Sequence, residues 1–244
     1  MQKTELKLSY NIVESENIVG IPAIIVAAGN STRMNGINKQ FLSIGEIPVI
    51  VRTLLAFEKS EYISRIILVT REEDIFSLQL LAEKYSVSKL TDIVAGGSCR
   101  QESVLNGLNR LTADEKDVLI QDGARPFVTN TIIENVAEGL KTHSAVTCGV
   151  KVKDTVKLIN QNGEVEKTLN RDSLFAVQTP QGVRVDEYRN ALGELSDLSM
   201  FTDDTSIMEN AGYTVKCVEG SYTNIKITTP EDIAVAEAIL REEM

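Results

Sequence analysis

The segment AAGNSTRM at residues 27–34, followed by Lys39, has the composition of a phosphate-binding loop. Its first three residues are small, so a nucleotide could lie directly against the backbone and accept hydrogen bonds from exposed N–H groups. Arg33 and Lys39 add positive charge, and residues 21–45 contain no Asp or Glu to oppose it. The segment matches neither the P-loop nor the GxGxxG pattern. It predicts a nucleotide-binding loop of another class. The alternative interpretation is an ordinary βα loop in which the basic residues are incidental.

Three further segments could contribute to the same site. In residues 121–126, Asp122 could bind Mg²⁺ or ligand hydroxyls and Arg125 could hold a phosphate, but an Asp–Arg pair at the surface is an equally simple interpretation. Residues 95–103 contain a glycine loop before a helix, whose N-terminal amides could face an anion. Lys226 is predicted on a short strand near the end of the sheet, where a solvated lysine is the default interpretation.

The scarcity of histidine narrows the chemistry. Because His143 is the only histidine, a Ser-His-Asp triad, a Cys-His pair or a His-rich zinc site is not expected. Catalysis should then depend on Arg, Lys, Asp and a hard metal ion. These groups suit phosphoryl and nucleotidyl transfer, in which positioning and charge neutralisation supply most of the catalysis.

Bulk composition excludes some classes of partner. The formal charge of −10 argues against general nucleic-acid binding. Residues 1–20 are too polar for a signal peptide, and no apolar run approaches the roughly 20 residues needed to span a bilayer. The three cysteines are far apart in sequence, which argues against a disulfide framework and favours a reducing compartment. We therefore expect a cytoplasmic protein with no nucleic-acid or membrane partner.

The spacing of apolar residues predicts the elements that carry these segments. Apolar runs predict strands at 22–28, 65–70, 117–121, 145–150 and 213–218. Helical spacing is found at 49–57, 75–85, 103–111, 131–140, 203–210 and 230–241. Alternating strands and helices predict an α/β fold with an open, mostly parallel, Rossmann-like sheet and helices on both faces. In such a sheet, ligands bind at the carboxyl ends of the strands.

Residues 151–179 interrupt this alternation. Two alternating segments, 152–159 and 165–169, are joined by Asn-Gln-Asn-Gly at 160–163, which predicts a β-hairpin. A hairpin with so little core of its own would pack on something else, and a second subunit is the natural candidate. We therefore predict a single domain at 21–244 with residues 151–179 as a protruding arm, preceded by an extension at 1–20 of unknown role.

Seven segments of the chain, taken in order, resemble the 2-C-methyl-D-erythritol 4-phosphate cytidylyltransferase family. They extend from about residue 21 to the C-terminus and read AAGNSTRM with Lys39, GGSCRQES, QDGARP, VKDTVK, NRDSLFAVQTPQ, FTDDTS and EGSYTNIKITTPEDI. The related ribitol-5-phosphate cytidylyltransferases share several of these segments. The resemblance therefore specifies the type of reaction more firmly than the acceptor.

This resemblance implies a nucleotidyltransferase that transfers CMP from CTP to 2-C-methyl-D-erythritol 4-phosphate, giving the CDP-linked polyol and pyrophosphate. The reaction belongs to the non-mevalonate route to isoprenoid precursors. The resemblance also implies Mg²⁺ as cofactor and a homodimer in which the arm crosses to the partner and contributes to the acceptor site. Two alternatives stay open: ribitol 5-phosphate as the acceptor, or a non-catalytic nucleotide-binding module on the same fold.

The resemblance also assigns roles to individual residues. Arg33 and Lys39 are expected to be catalytic. The residues expected to bind the nucleotide are Ala27, Ala28, Gly29, Gly97, Ser98, Ser103, Asp122, Gly123 and Lys226. The residues expected to bind the acceptor are Asp122, Arg125, Thr155, Arg171, Thr179 and Thr202. Asp122 is also the candidate metal ligand, although the CTP phosphates could hold most of the Mg²⁺ coordination. The chain departs from many family members at Gln121, where they have histidine.

Overall fold

The structure is a computed structural model that describes residues 20–29 and 39–242. The expected catalytic residue Arg33 and nearly all of the predicted extension at 1–20 lie outside the described residues. The strands are β1 (Ile21–Val26), β2 (Ser43–Ile44), β3 (Ile47–Pro48), β4 (Ile63–Thr70), β5 (Leu90–Ala95), β6 (Asp117–Asp122), β7 (Ala145–Lys151), β8 (Lys157–Ile159), β9 (Val165–Thr168), β10 (Phe175–Arg184) and β11 (Val215–Glu219). The α-helices are α1 (Val49–Lys59), α2 (Ile75–Lys84), α3 (Arg100–Leu108), α4 (Asn130–Leu140), α5 (Val185–Gly193), α6 (Asp204–Asn210) and α7 (Pro230–Glu242).

Seven of these strands form one central sheet in the order β11-β7-β10-β6-β1-β4-β5. Strand β10 is antiparallel to both of its neighbours, β6 and β7, while the other pairs are parallel. The prediction of an open, mostly parallel α/β sheet is confirmed. Because β1 and β6 are adjacent and parallel, the loops that follow them, which contain Ala27 and Gly123, meet at one edge of the sheet.

Helices cover both faces of the sheet, as the continuous apolar runs of its central strands require. Along β1, Ala23 and Ile25 belong to a core formed with α1, α2 and α4. Ile24 points to the opposite face and packs in a second core with α3, α5 and α6. Each central strand therefore buries alternate residues on opposite sides and is fixed in register from both.

A third apolar cluster lies under the edge where the candidate site is found. It joins the β2–β3 hairpin, the start of α1, the turn after β6 and the C-terminal helix α7. Its buried members are Ile44, Val49, Ala124, Phe127, Ile227 and Ala236. This cluster ties the segment after Lys39 to the segment that carries Lys226, although the two are far apart in the chain.

The predicted hairpin at 151–179 is present as an antiparallel pair, β8 and β9, shorter than the alternation suggested. The turn between them places Gly163 at a φ of +80°, a conformation that favours glycine. The side chain of Asn160 accepts hydrogen bonds from the backbone N–H groups of Asn162 and Glu164, which closes the turn. Leu158, Ile159 and Val165 are each about half exposed or more on this arm.

Five elements and one placement differ from the predictions. Strands β2, β3, β5 and β10 and helix α5 were not predicted. Strand β10 contains Pro180 and Gly182, which interrupt a strand pattern, and β5 is only partly buried at the edge of the sheet. Lys226 does not lie on a strand: its segment is irregular, with the N–H of Ile227 donating to the carbonyl of Ala124 at 2.8 Å. No helix in the described part of the chain combines the length and apolar character needed to cross a membrane.

Candidate active site

A cavity of about 410 Å³ opens at the carboxyl ends of β1 and β6, the position at which open α/β sheets bind ligands. Its lining includes nine residues predicted from the sequence: Ala27, Ala28, Gly29, Lys39, Gly97, Ser98, Ser103, Asp122 and Lys226. The structure therefore brings together residues from four separate segments of the chain. We refer to this space as the nucleotide cavity.

Close packing explains why small residues occupy one wall of the nucleotide cavity. A Cβ atom added to Gly96 would overlap the side chain of Ala28 and would lie 2.8 Å from Ser103 Oγ. Ser103 Oγ donates to the carbonyl of Cys99 at 2.9 Å and accepts from the N–H of Gly97 at 3.0 Å. The glycine loop at 95–99 therefore packs closely against the residues that follow β1, and the two hydrogen bonds of Ser103 fix its backbone.

Gly123, which was predicted to bind the nucleotide, is not among the described lining residues. It lies behind the wall, where its N–H donates to the carbonyl of Val26 at 2.8 Å. A Cβ atom added to Gly123 would come within 2.8 Å of Ile50 Cδ1 and 3.1 Å of Ala27 Cβ. The observed geometry therefore gives Gly123 a packing role, in which it lets the turn after β6 approach β1.

Three cationic side chains of the site surround the carboxylate of Asp122. This residue is only 7% exposed, and its Oδ2 lies 2.7 Å from Lys226 Nζ. Its Oδ1 lies 3.3 Å from Arg100 Nε, while Arg125 Nε is 3.9 Å from Oδ2. Burial alone would raise the pKa of the Asp122 carboxyl, but the charges of Arg100, Lys226 and Arg125 outweigh burial and hold this pKa well below its usual range. Asp122 is therefore ionised at neutral pH.

A second cavity of about 340 Å³ adjoins the first. Arg100, Asp122 and Lys226 line both cavities. Four residues predicted to bind an acceptor, Asp122, Arg125, Thr179 and Thr202, line the second cavity. We refer to it as the acceptor cavity, and to Arg100, Asp122 and Lys226 as the junction.

Two neighbours fix the walls of the acceptor cavity. Thr179 is buried, and its Oγ1 accepts a hydrogen bond from the N–H of Asp122 at 3.0 Å. Arg125 donates through Nη1 to the carbonyl of Asn224 at 2.7 Å. Because Asn224 lies two residues before Lys226, this contact also fixes the segment that brings the lysine into the junction.

Two of the predicted acceptor-binding residues are not brought to these cavities. Thr155 and Arg171 lie on the arm, exposed, and outside the linings as far as the described residues define them. Arg171 Nη1 donates to the carbonyl of Lys153 at 2.9 Å, so it is held within the arm.

Arg100 and its second partner, Asp204, were not predicted from the sequence to have a role. Arg100 Nη2 lies 2.8 Å from Asp204 Oδ2, and Asp204 is fully buried. One signal could have identified Arg100: it is the first residue of α3, where the helix dipole disfavours a cation. A basic residue at this position requires a compensating partner, although the sequence does not say which one.

Asp232 was also missed, and it fixes the segment that carries Lys226. Its Oδ2 accepts from the backbone N–H groups of Thr228 and Thr229 at 2.7 and 2.9 Å, and from Thr228 Oγ1 at 2.8 Å. Partial burial acts to raise the pKa of Asp232, but these hydrogen bonds dominate and lower it. Thr228 itself lines the nucleotide cavity.

Comparison with known proteins gives one family. The family model described as 2-C-methyl-D-erythritol 4-phosphate cytidylyltransferase matches residues 21–242. A protein of that name from Clostridium novyi (strain NT) is 47% identical over 221 residues, which is 89% of this chain and 95% of the relative. One from Bacillus anthracis is 46% identical over 222 residues, which is 89% of this chain and 96% of the relative.

Solved structures agree with the sequence comparison. The crystal structure of 4-diphosphocytidyl-2C-methyl-D-erythritol synthase from Anaerococcus prevotii DSM 20548 superposes with a TM-score of 0.81 at 34% identity, covering 91% of this chain and 96% of that one. The crystal structure of 2-C-methyl-D-erythritol 4-phosphate cytidylyltransferase from Thermus thermophilus gives a TM-score of 0.72 at 27% identity, covering 91% of this chain and 99% of that one.

Proposed function

The chain belongs to the 2-C-methyl-D-erythritol 4-phosphate cytidylyltransferase family, and on that premise we propose that its two adjoining cavities transfer CMP from CTP to 2-C-methyl-D-erythritol 4-phosphate. The products are the CDP-linked polyol and pyrophosphate, and the reaction serves isoprenoid precursor biosynthesis. One observation carries this proposal: the nucleotide cavity and the acceptor cavity share a cationic junction, Arg100, Asp122 and Lys226. A reaction between two phosphorylated substrates requires such a place, where a phosphate from each can meet.

The reaction is an in-line displacement at the α-phosphorus of CTP. An oxygen of the acceptor's phosphate attacks, the bond between the α-phosphorus and the bridging oxygen breaks, and pyrophosphate leaves. Negative charge develops on the transferring group and on the leaving group, so cations placed there stabilise the transition state more than the ground state. We assign this role to Lys39 and Lys226, which line the nucleotide cavity, and to Arg33 from the sequence.

No general base is needed, because the attacking phosphate is already an anion near pH 7. The position of His143 agrees with this. It comes just before β7, which runs parallel to β6, so it lies at the sheet edge opposite to the one that bears the cavities. The only histidine of the chain is therefore not placed to take a proton from either substrate.

We propose that Mg²⁺ is the cofactor and that the triphosphate holds most of its coordination. Within residues 20–29 and 39–242, no group of three or more His, Cys, Asp or Glu side chains is placed to bind a metal ion. Asp122 lines both cavities and could supply one carboxylate contact, which the metal would share with Lys226 and Arg100. When bound, the metal would supply charge neutralisation for the phosphates.

We propose a homodimer in which the arm of each subunit completes the acceptor cavity of the other. The exposed apolar residues Leu158, Ile159 and Val165 would then be covered by the partner. Thr155 and Arg171, which lie on the same arm, would contact the acceptor bound in the partner's cavity. A cytoplasmic location stays a prediction from the spacing of the cysteines.

Pyrophosphate release from a matrix of nucleotides and acceptors tests the proposed activity. CTP with 2-C-methyl-D-erythritol 4-phosphate should give the highest kcat/KM among the four common ribonucleoside triphosphates, with ribitol 5-phosphate as the competing acceptor. A strong preference for ribitol 5-phosphate would overturn the assignment of the acceptor. Binding of CTP without turnover on either acceptor would favour a non-catalytic nucleotide-binding module.

Variants of the cationic residues test their assigned roles. Arg33→Ala and Lys39→Ala should each lower kcat by ~10²-fold or more, the scale of losing one preorganised group that stabilises charge. Lys116→Ala is a suitable control because Lys116 is exposed and makes only surface contacts, with the carbonyl of Ala113 at 2.8 Å and with Asp186 at 3.9 Å. If both cationic variants retain the turnover of this control, the assignments are wrong.

A further inference from the structure

Arg100 occupies a distinctive position between the two cavities. It lines both of them, and its guanidinium bridges two carboxylates. Nε faces Asp122 at 3.3 Å, while Nη2 faces Asp204 at 2.8 Å. These two acids come from different parts of the chain, at the end of β6 and the start of α6. The planar arginine fork therefore sets the distance between the two elements.

The acid behind Arg100 faces away from the substrates' space. Asp204 and Tyr188 are both fully buried, and neither lines a cavity of the site as the described residues define it. Tyr188 donates its hydroxyl hydrogen to Asp204 Oδ1 at 2.7 Å. The N–H of Asp204 donates to Gln181 Oε1 at 2.8 Å, and Gln181 is itself buried in β10. Asp204 is thus held by three groups and can serve as a fixed anchor for Arg100.

These side chains form a continuous series of polar contacts that ends at a cation lining both cavities. Tyr188 donates a hydrogen bond to Asp204, which forms an ion pair with Arg100. Arg100 in turn pairs with Asp122, and Asp122 pairs with Lys226 at 2.7 Å. Replacing a buried ion pair by apolar residues is often neutral or stabilising, so stability alone does not explain such a series. Moreover, no acceptor within the described residues takes a hydrogen bond from Arg100 Nη1, although this atom is buried.

We propose that Arg100 is a positioning residue for cytidylyl transfer. Anchored by Asp204 and Tyr188, it fixes the carboxylate of Asp122, and through that carboxylate it sets where the ammonium group of Lys226 meets the phosphates at the junction. This inference rests on the proposed function and adds a residue to it. Because a misplacement of about 1 Å in a reacting constellation can lower the rate by roughly 10²-fold, the effect of Arg100 should be seen in kcat.

A second arginine in the same chain shows what a purely structural ion cluster looks like. Arg65 also forms ion pairs with two carboxylates, Asp92 at 3.0 Å and Glu115 at 2.7 Å. Its side chain is 19% exposed, compared with 20% for that of Arg100. Arg65 is not among the described lining residues of either cavity of the site. It is therefore a matched control for the loss of a bridging guanidinium.

The test compares Arg100→Lys with Arg65→Lys. A lysine carries one compact ammonium group and cannot reproduce a fork that bridges two acids. Arg100→Lys should lower kcat by ~10- to 100-fold while the KM values for CTP and for the acceptor change by less than about 3-fold. Arg65→Lys should lower the Tm but keep kcat within about 2-fold of the wild type. An Arg100→Lys enzyme with wild-type kcat, or equal kcat losses in both variants, would overturn the proposal.

A double variant distinguishes positioning through Asp122 from any direct effect of Arg100. If Arg100 acts through Asp122, then Arg100→Lys should lower kcat by only about 3-fold or less in an Asp122→Asn background, because coupled residues are not additive. Full additivity of the two losses would refute the proposed route.

Tyr188→Phe provides a second test if Arg100→Lys does not fold. It removes one hydrogen bond from the anchor and leaves both cavity linings unchanged. We expect kcat to fall by about 3-fold or more with unchanged KM values, the pattern of an interaction that matters only in the transition state. A lower Tm with wild-type kcat would show a merely structural anchor. The wild-type enzyme is assayed first, so a failure of the proposed function is recognised independently of these variants.

Discussion

Replacing Asp122 by asparagine should destabilise the folded protein more than neutralising any other charged residue that lines the two cavities. The variant keeps the size of the side chain and one acceptor oxygen, but it removes the negative charge that three cations surround. Each of the two closest pairs, at 2.7 and 3.3 Å, has a Coulomb energy of roughly 5–6 kcal/mol at an effective dielectric constant of about 20. Desolvation of the charges offsets most of that energy.

The net effect is therefore estimated from the cost of leaving buried charges unpaired. Removing one partner of a buried ion pair typically destabilises a protein by about 3–5 kcal/mol. Arg100 keeps Asp204 as a partner, and Lys226 is 38% exposed to water. We therefore expect Asp122→Asn to lower the free energy of unfolding by about 3 kcal/mol, the lower end of that range. Urea unfolding without nucleotide measures this change. Asp186→Asn is the control, since Asp186 is 78% exposed and its nearest cation is 3.9 Å away.

The dependence of this difference on pH gives a second measurement. Despite burial, which acts to raise it, the pKa of Asp122 in the folded protein is lowered by Arg100, Lys226 and Arg125. A lowered carboxyl pKa stabilises the folded state fully above the unfolded value of about 4, and this stabilisation is lost as the pH falls through the lower folded value. The wild type should exceed Asp122→Asn by its full margin at pH 7 and by less at pH 3. If Asp122→Asn is as stable as Asp186→Asn at pH 7, or more stable, charge pairing does not stabilise the junction.

Three further predictions concern other parts of the molecule. Asp232→Asn should loosen Thr228, which lines the nucleotide cavity, and so raise the KM for CTP by about 10-fold, the scale of losing one hydrogen bond to a charged group. An unchanged KM would contradict this. Glu115→Gln should lower stability at pH 7 but not near pH 2, because hydrogen bonding to its arginine partner lowers the pKa of Glu115 to about 2, and urea midpoints at the two pH values measure it. Mixing inactive Lys39→Ala and Arg171→Ala subunits should restore about a quarter of the wild-type activity if each site takes residues from two subunits, and no recovery after subunit exchange would count against the dimer.

Local sequence determined the parts of this protein that depend on residues close together in the chain. The buried strands at 22–28 and 117–121 were predicted because a continuous apolar run is typical of a strand covered on both faces. The small residues after β1 and the glycines before α3 predicted a wall against which a ligand could lie, and the structure places them around one cavity. Gly163 in the arm was predicted from its turn, and it has the positive φ that this turn requires.

Tertiary structure alone decided the elements whose local pattern is weak. Strand β10 is antiparallel between two parallel strands, and the direction of a strand is set by its neighbours. Its proline and glycine also interrupt the alternation of apolar and polar residues from which a strand is predicted. Lys226 was predicted on a strand, but its position depends on backbone and side-chain hydrogen bonds to Ala124 and Asp232.

The partners of the charged residues were likewise decided by the fold. Arg100 was visible in the sequence as a basic residue at the start of a helix, yet its partner Asp204 lies 104 positions away. Lys226 meets Asp122 in the same way, across a chain separation that no local pattern records. Residue types and spacing along the chain thus determine which chemical groups are available and which local structures form. Ion pairing depends on distance through space, and only the packed sheet and its helices bring these groups to within a few ångströms of one another.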